Sequence, residues 1–455
     1  MYMNELLSKT PQEMASLVFP CSCGKTHSID INDVRIGTHI LTDIVDSLQV
    51  FQSGTVLFIA DCNTYTAAGK QVETLLSKTF QLKKVIFPNS HLHPDEQALQ
   101  QLRAAMNPEI TAILAVGSGT LNDLARYLSY ETKIPYIIVG TAPSMDGYAS
   151  MVSPLITKGV KVTYNAVYPY CIIADIEIMK EAPMVMIHAG LGDIVGKYSA
   201  LADWKLANIL HDEYYCEATA ELVEKAVHQC VASASGIMTR KPEAIQSIIE
   251  GLILSGMCIG MTGSSRPASG EEHLLSHTWE MLGLIRGQET HLHGNQVGIG
   301  TEIILHIYQY LLSVDIHKIY ADGKFKLFTR EKWEENITKL FGDIGLQIIE
   351  KKAPYINFTP GKREAAAQHI VEKWEQIKKD VFQAMPSPST YRDMMDGAGS
   401  HLGPLDLKLD RESFRLSLLT GKEIRQRFGV MQMLEDLGIL EEVADMITDI
   451  YYSQL

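Results

Sequence analysis

The chain has 455 residues, a length that suggests about two to three domains, and its 46% apolar and 21% charged residues are the balance of a soluble globular protein. A formal net charge of −14 argues against a nucleic-acid surface or stable membrane association, since both need an excess of Lys and Arg. No apolar run reaches the roughly 18 residues of a membrane span, and "MYMNELLSKTPQEM" has no basic cluster before an apolar block, so no signal peptide is expected.

Seven scattered cysteines fit reduced thiols in a cytosol, and a cytoplasmic location is expected. "CSCGKTH" places Cys21, Cys23 and His27 within seven residues, a start for a zinc site. A four-ligand site normally needs a second well-spaced pair, and Cys62 is the only other cysteine nearby. The expectation is therefore an ordered turn with reduced thiols.

From about residue 33 to 175, short apolar runs alternate with helix-like segments. "GTVLFIAD" (Gly54–Asp61), "KKVIFP" (Lys83–Pro88), "TAILAVGSG" (Thr111–Gly119), "PYIIVGT" (Pro135–Thr141) and "CIIAD" (Cys171–Asp175) read as strands. Their nearly unbroken apolar character is that of parallel strands buried on both faces, which predicts an open α/β sheet. Beyond Pro183 long amphipathic segments dominate, among them "ADWKLANILHDEYYCEATAELVEKAVHQCVASASGIM" and "REAAAQHIVEKWEQIKKDVFQAM". The expected organisation is an α/β domain over residues 1–182 and an all-α domain over 183–455, with a Pro/Gly/Ser-rich break at Met385–Leu407 before a last helical pair.

In "AVGSGTLND" (Ala115–Asp123) a strand runs into Gly117-Ser118-Gly119 and then a helix. Such a turn lets backbone approach a pyrophosphate at a helix N-terminus, or is simply a tight structural turn. The third glycine of the usual dinucleotide fingerprint is replaced by Asn122. Asp61 ends a strand, where a carboxylate can hold ribose hydroxyls or cap the next helix. Thr141, Ser144, Asp146 and Ser150 follow another strand in "VGTAPSMDGYAS". Asp193 lies between glycines in "GLGDIVG", where N-capping is the plainer role. In "RPASGEEHLLSHTWE" His273 and His277 are four residues apart, hence on one helix face, and His293 follows in "ETHLHGNQVGIGTEI". One Asp with two imidazoles can make an open site for a borderline divalent metal; a lone histidine is more often a hydrogen-bonded core residue.

"GSGTLND", "TAPSMDGYAS", "GLGDIVGK", "RPASGEEHLLSH" and "HLHGNQVGIG", in that order, resemble the motif series of sn-glycerol-1-phosphate dehydrogenase, within the superfamily of iron-type alcohol dehydrogenases, glycerol dehydrogenase and dehydroquinate synthase. "GKEIRQRFGVMQMLEDLGIL" is similar to the bacterial branch. The resemblance implies a Rossmann-like dinucleotide-binding domain followed by a helical metal- and substrate-binding domain. It implies cofactor contacts from Gly117, Ser118, Gly119, Thr120, Asn122, Asp123, Thr141, Ser144 and Ser150, which Asp61 joins by its position at a strand end. It implies metal ligation by Asp193, His273 and His293, and substrate contacts from Asp146, Asp193 and His277, with His277 and Asp193 catalytic and His291 a bystander. The implied reaction is metal-dependent, NAD(P)H-linked reduction of dihydroxyacetone phosphate to sn-glycerol-1-phosphate, in glycerophospholipid synthesis, with zinc, nickel or iron as the ion and a homodimer or larger assembly. Arg266 and Lys197 are candidates for the substrate phosphate by proximity to the motifs. Three alternatives stay open: a glycerol dehydrogenase acting on an unphosphorylated polyol, a dehydroquinate synthase-type lyase, and a non-catalytic helical scaffold that has kept an old fold.

Overall fold

This computed structural model describes residues 3–88, 91–157 and 160–453. The apolar runs do form strands. With β1 (Val18–Pro20) and β2 (Thr26–Ser28) forming an antiparallel hairpin, the main sheet is built from β3 (Asp33–Gly37), β4 (Thr55–Asp61), β5 (Gln81–Phe87), β6 (Ile110–Gly117), β7 (Tyr136–Gly140) and β10 (Cys171–Asp175). Its order is β3-β10-β7-β6-β4-β5 and every pairing is parallel. A second antiparallel hairpin joins β8 (Val152–Thr157) to β9 (Val160–Asn165). Every residue of β7 and β10 is buried, as is all of β4 except Asp61. That is why these segments carry no alternation of apolar and polar residues.

The strand order places a topological switch between β4 and β6. After β4 the chain moves outward to β5, and after β6 it moves the other way to β7. Asp61 and Gly117 end these two strands, at the carboxyl edge where open α/β sheets bind ligands.

The described residues divide into two compact units. One holds residues up to Ile194, Cys216–Ser265 and Gly397–Gly399. Its core includes Val56, Phe58, Leu114, Val116, Ile137, Val139 and Ile173 under Val72 and Leu76. Around the sheet lie α1 (Gly119–Thr132), most of α2 (Met184–Val195), α4 (Glu217–Ser233) and α5 (Pro242–Thr262). Helix α5 is long and apolar enough to cross a membrane by length and composition, yet 72% of its most apolar window is buried inside the structure. Its polar Gln246, Ser247 and Glu250 interrupt the run, so the sequence showed no unbroken span.

The other unit holds Val195–Tyr215, Arg266–Asp396 and the chain from Ser400. It is helical, led by α3 (Lys197–His211), α6 (Glu271–Arg286) and α7 (His293–Ser313). The long amphipathic stretch from Ala202 is two helices, α3 and α4, because α3 ends on Asp212 in the left-handed conformation (φ 51°). The Pro/Gly/Ser-rich break contains a helix of its own, Pro388–Gly397.

Candidate functional site

In the first unit, Gly117 closes β6 and Ser118 precedes α1. A Cβ on Gly117 would lie 2.3 Å from Leu121 Cδ1, so the turn needs glycine there. The first intrahelical bond runs from Asn122 N–H to Ser118 O, at 3.0 Å. The amides of Gly119, Thr120 and Leu121 therefore have no partner within the helix, and Ser118 makes no side-chain cap bond. Ser118, Gly119 and Thr120 are partly exposed. An uncapped, accessible N-terminus at a switch point suits a phosphate group.

The remaining predicted cofactor residues surround this turn in different ways. Thr141 donates its N–H to Gly117 O at 3.1 Å, while Ser144 N–H goes to Ala142 O at 3.0 Å. Asn122 is fully buried and donates Nδ2–H to Gly147 O at 3.1 Å. Asp123 pairs with Arg126 at 2.8 Å. Arg126 in turn donates to the carbonyls of Gly147 and Val152 and to Tyr136 Oη, so this ion pair anchors the loop after β7. Burial pushes the Asp123 carboxyl up to about 7, with Arg126 pulling it back. Ser150 Oγ bonds within its own turn to Val152. Asp61 accepts Thr64 N–H at 2.8 Å, the helix-capping role, closed reciprocally by Thr64 Oγ1.

Asp146 and Asp193 meet. Asp193 is fully buried in α2 and its Oδ2 accepts the Asp146 N–H at 2.9 Å. Asp146 Oδ2 accepts from Ser255 Oγ of α5 at 3.1 Å. Gly190, one turn before Asp193, makes this approach feasible: a Cβ there would lie 1.7 Å from Pro143 O. Gly190 thus lets α2 lie directly on the "TAPSMDG" loop. Asp193 sits inside α2, not at its cap.

In the second unit the three histidines converge. Ring centroids are 5.2 Å apart for His273 and His293, 5.0 Å for His277 and His293, and 6.3 Å for His273 and His277. Their side chains are 6%, 17% and 25% exposed for His273, His277 and His293, so the cluster reaches the surface and is not a sealed core. Each Nδ1 faces a carboxylate: His273 meets Glu272 at 2.6 Å, His277 meets Glu280 at 3.0 Å and His293 meets Glu280 at 3.1 Å. A carboxylate only accepts, so the proton of each neutral ring lies on Nδ1 and Nε2 is the acceptor nitrogen. This carboxylate backing is the arrangement that orients metal-binding imidazoles. Ligand atoms of His277, Glu280 and His293 also lie within 4.8 Å of one another. Because both imidazoles meet Glu280 through Nδ1, this group reads as a hydrogen-bonded relay.

Burial holds His277 well below the ordinary imidazole range, Glu280 opposing and Arg425 and His293 adding to the effect. Burial would raise Glu272, but His273, Ser199 and the Gly270 amide hold its carboxyl below the usual value. His291 bonds instead to the Asp406 carbonyl at 2.9 Å.

Sequence reasoning missed three supporting residues, Glu280, Arg425 and Arg427. Glu280 had a signal, since it follows His277 by three residues on the same helix face. Arg425 Nη2 approaches His277 Nε2 at 3.3 Å, and Arg427 donates to Ser269 O. Asp203 of α3 fastens both sides of this region by accepting the amides of Glu271 and Val430, each at 2.8 Å. Gly270 and Gly429 permit it, since a Cβ on either would crowd Asp203 or its neighbouring glutamates at 2.6–2.8 Å. Arg266, expected near the substrate phosphate, instead holds Glu213 at 2.6 Å and the Phe428 carbonyl at 2.7 Å. Lys197 is fully buried at the start of α3.

Residues 35–183 match the family model of iron-containing alcohol dehydrogenase. A relative from Geobacillus stearothermophilus, named glycerol-1-phosphate dehydrogenase (NAD(P)+), is 30% identical over 447 residues, covering 96% of this chain and 100% of the relative. One of the same name from Bacillus licheniformis is 32% identical over 445 residues, 96% of each chain. Another from Methanosarcina mazei is 33% identical over 277 residues, 61% of this chain and 76% of the relative. Among solved structures, glycerol dehydrogenase from Schizosaccharomyces pombe aligns with TM-score 0.56 at 13% identity over 93% of each chain. NADH-dependent butanol dehydrogenase A from Thermotoga maritima aligns with TM-score 0.58 at 14% identity over 95% of this chain and 99% of that one. These structures share the fold, and the closer sequence relatives fix the membership. The chain belongs to the glycerol-1-phosphate dehydrogenase (NAD(P)+) family of oxidoreductases.

Proposed function

We propose that this chain reversibly reduces dihydroxyacetone phosphate to sn-glycerol-1-phosphate with NAD(P)H and one divalent ion. The observation that carries the reading is the cluster of three imidazoles, each backed at Nδ1 by a carboxylate. In this reading Asp193, His273 and His293 hold the ion, a set that takes zinc, nickel or iron. When bound, the ion supplies Lewis-acid polarisation of the ketone oxygen and the nicotinamide supplies the hydride. The amides of Gly119 and Thr120 at the α1 N-terminus receive the cofactor phosphates. Gly117, Ser118, Asn122, Asp123, Thr141, Ser144 and Ser150 shape that pocket. The second oxygen of the Asp61 carboxylate would serve the ribose hydroxyls and would favour NAD over NADP.

His277 moves the proton. In alcohol oxidation its neutral Nε2 takes the hydroxyl proton and Glu280 stabilises the imidazolium through Nδ1–H; in ketone reduction that imidazolium returns the proton from Nε2. Its low proton affinity makes the charged ring a strong donor. The substrate bears its reacting oxygen and its phosphate on adjacent carbons, so the cation that meets the phosphate must lie near the proton relay. Arg425 does, and we assign it that role together with Arg427 in place of Arg266. Burial, then repulsion from Arg266 and Arg425, pulls the Arg427 guanidinium down to about 10, with Glu272 and Glu213 opposing. Asp146 positions the substrate, and a homodimeric, cytoplasmic enzyme is part of the same proposal.

A substrate panel tests this. Catalytic efficiency for dihydroxyacetone phosphate should exceed that for dihydroxyacetone by at least about 100-fold, the yield of one or two charge-assisted contacts. Equal efficiencies would transfer the reading to a polyol dehydrogenase. Formation of dehydroquinate without added reductant would transfer it to the lyase.

A further inference from the structure

The "CSCGKTH" turn is not isolated in space. Cys21 N–H donates to Lys25 O at 2.9 Å and Gly24 N–H to Cys21 O at 3.1 Å, closing a tight turn between β1 and β2. Gly24 has φ +86°, a conformation that favours glycine there. The turn brings Cys21 and Cys23 to one end of the hairpin beside His27 on β2. A fourth ligand arrives 189 positions after His27: Cys216, fully buried and immediately before α4.

We propose that Cys21, Cys23, His27 and Cys216 form a closed structural zinc site within the first unit, distinct from the residues assigned to catalysis. Cys21 Sγ and Cys216 Sγ are 3.7 Å apart, and His27 Nε2 lies 3.3 Å from Cys23 Sγ and 3.4 Å from Cys216 Sγ. All four ligand atoms fall within 4.8 Å of one another. A tetrahedral ion with Zn–S near 2.3 Å and Zn–N near 2.05 Å requires sulfur–sulfur separations of about 3.8 Å and sulfur–nitrogen separations of about 3.6 Å. The observed spacings are those of a zinc cage, and the sulfurs are too far apart for a disulfide, whose S–S length is about 2.05 Å.

His27 is 1% exposed and its Nδ1 lies 2.7 Å from the Met261 carbonyl near the end of α5. A carbonyl only accepts, so Nδ1 carries the proton and the Nε2 lone pair faces the thiols. Three thiolates and one imidazole form a soft, saturated set that selects zinc over magnesium or calcium and leaves no position for substrate. Binding displaces three S–H protons. The ion would fasten the N-terminal hairpin to the start of α4 and, through Met261, to the end of α5. Cys62 takes no part; the fourth ligand came from a distance in sequence that local spacing cannot reveal.

Zinc-edge X-ray absorption on the full-length protein, purified in reductant and dialysed with zinc, tests the site. The expected spectrum contains a shell dominated by sulfur at about 2.3 Å. C23S and C216S should each lose one zinc per chain and that shell, while H293A should keep the sulfur shell, which separates this proposal from failure of the catalytic reading. If the cysteine variants do not fold, cobalt(II) titration of the unsubstituted chain gives the same answer, since only thiolates produce an intense sulfur-to-cobalt charge-transfer band. Absence of that band, a shell of nitrogen and oxygen alone, or a Cys21–Cys216 disulfide in the purified protein would overturn the proposal.

Discussion

Replacing Gly190 by Ala adds one methyl group where α2 rests on the loop after β7. The new Cβ would lie 1.7 Å from Pro143 O and 2.9 Å from Ile248 Cγ2. A carbon and a carbonyl oxygen rest comfortably at about 3.3 Å, so helix and loop must separate by about 1.6 Å. The oxygen is backbone, and no rotamer change relieves the contact. Overpacking of this kind costs about 1–3 kcal/mol, against a gain of about 0.5–1 kcal/mol from the better helix former. A net loss of up to about 2.5 kcal/mol lowers Tm by several degrees at about 2–4 °C per kcal/mol. The displacement also breaks the 2.9 Å bond from Asp146 N–H to Asp193. A misplacement of this order in a catalytic array lowers turnover by about 100-fold. G361A serves as the control, because nothing lies within 4 Å of a Cβ at that helical position. Thermal unfolding and steady-state NADH oxidation should show both losses in G190A and neither in G361A. A G190A protein with unchanged Tm and turnover would refute the close-approach argument.

Glu280→Gln should lower kcat by about 10–100-fold, the usual effect of removing a carboxylate behind a ligating or relaying histidine, with Tm from thermal unfolding nearly unchanged. R425A should raise KM for the phosphorylated substrate by at least about tenfold, one charge-assisted contact, and leave KM for dihydroxyacetone unaltered in the same assay; R266A should chiefly lower Tm, because it leaves Glu213 without its partner. The Asp123 carboxyl, raised by burial from 3.8 to about 7, contributes stability that is fully present below about pH 4 and lost as pH rises through about 7, amounting at most to about 4 kcal/mol at 1.36 kcal/mol per unit. Urea unfolding across that window should therefore show a downward slope with pH that is flatter in D123N.

The sheet was legible because its central strands are buried on both faces, whereas in the edge strand β5 only Phe87 is buried. Five predicted runs, from β4 to β10, coincide with strands to within a few residues. Strand β3 and the two hairpins were missed, since "DVRIG" is short and only partly buried and the β8–β9 ribbon mixes Thr, Lys and Tyr with its apolar residues. The helical pair α3 and α4 read as one segment because its break rests on a left-handed Asp212, which no proline or glycine announces. The histidine cluster was legible through the four-residue spacing on α6. What orders it was not. Arg425 approaches His277 across 148 positions and the Val430 amide reaches Asp203 across 227, and such contacts leave no local periodicity. Asp61 and Ser150 show the reverse case: their hydrogen bonds are the local capping and turn bonds that their residue types predict.

The central claim is the redox reaction on a phosphorylated ketone under metal control. Its most direct test is NADH oxidation by the metal-loaded protein with dihydroxyacetone phosphate, followed by stereochemical analysis of the product. The expected product is sn-glycerol-1-phosphate, with turnover abolished by chelation and restored by zinc, nickel or iron. Turnover that survives complete removal of metal, or a product of the opposite configuration, would contradict it.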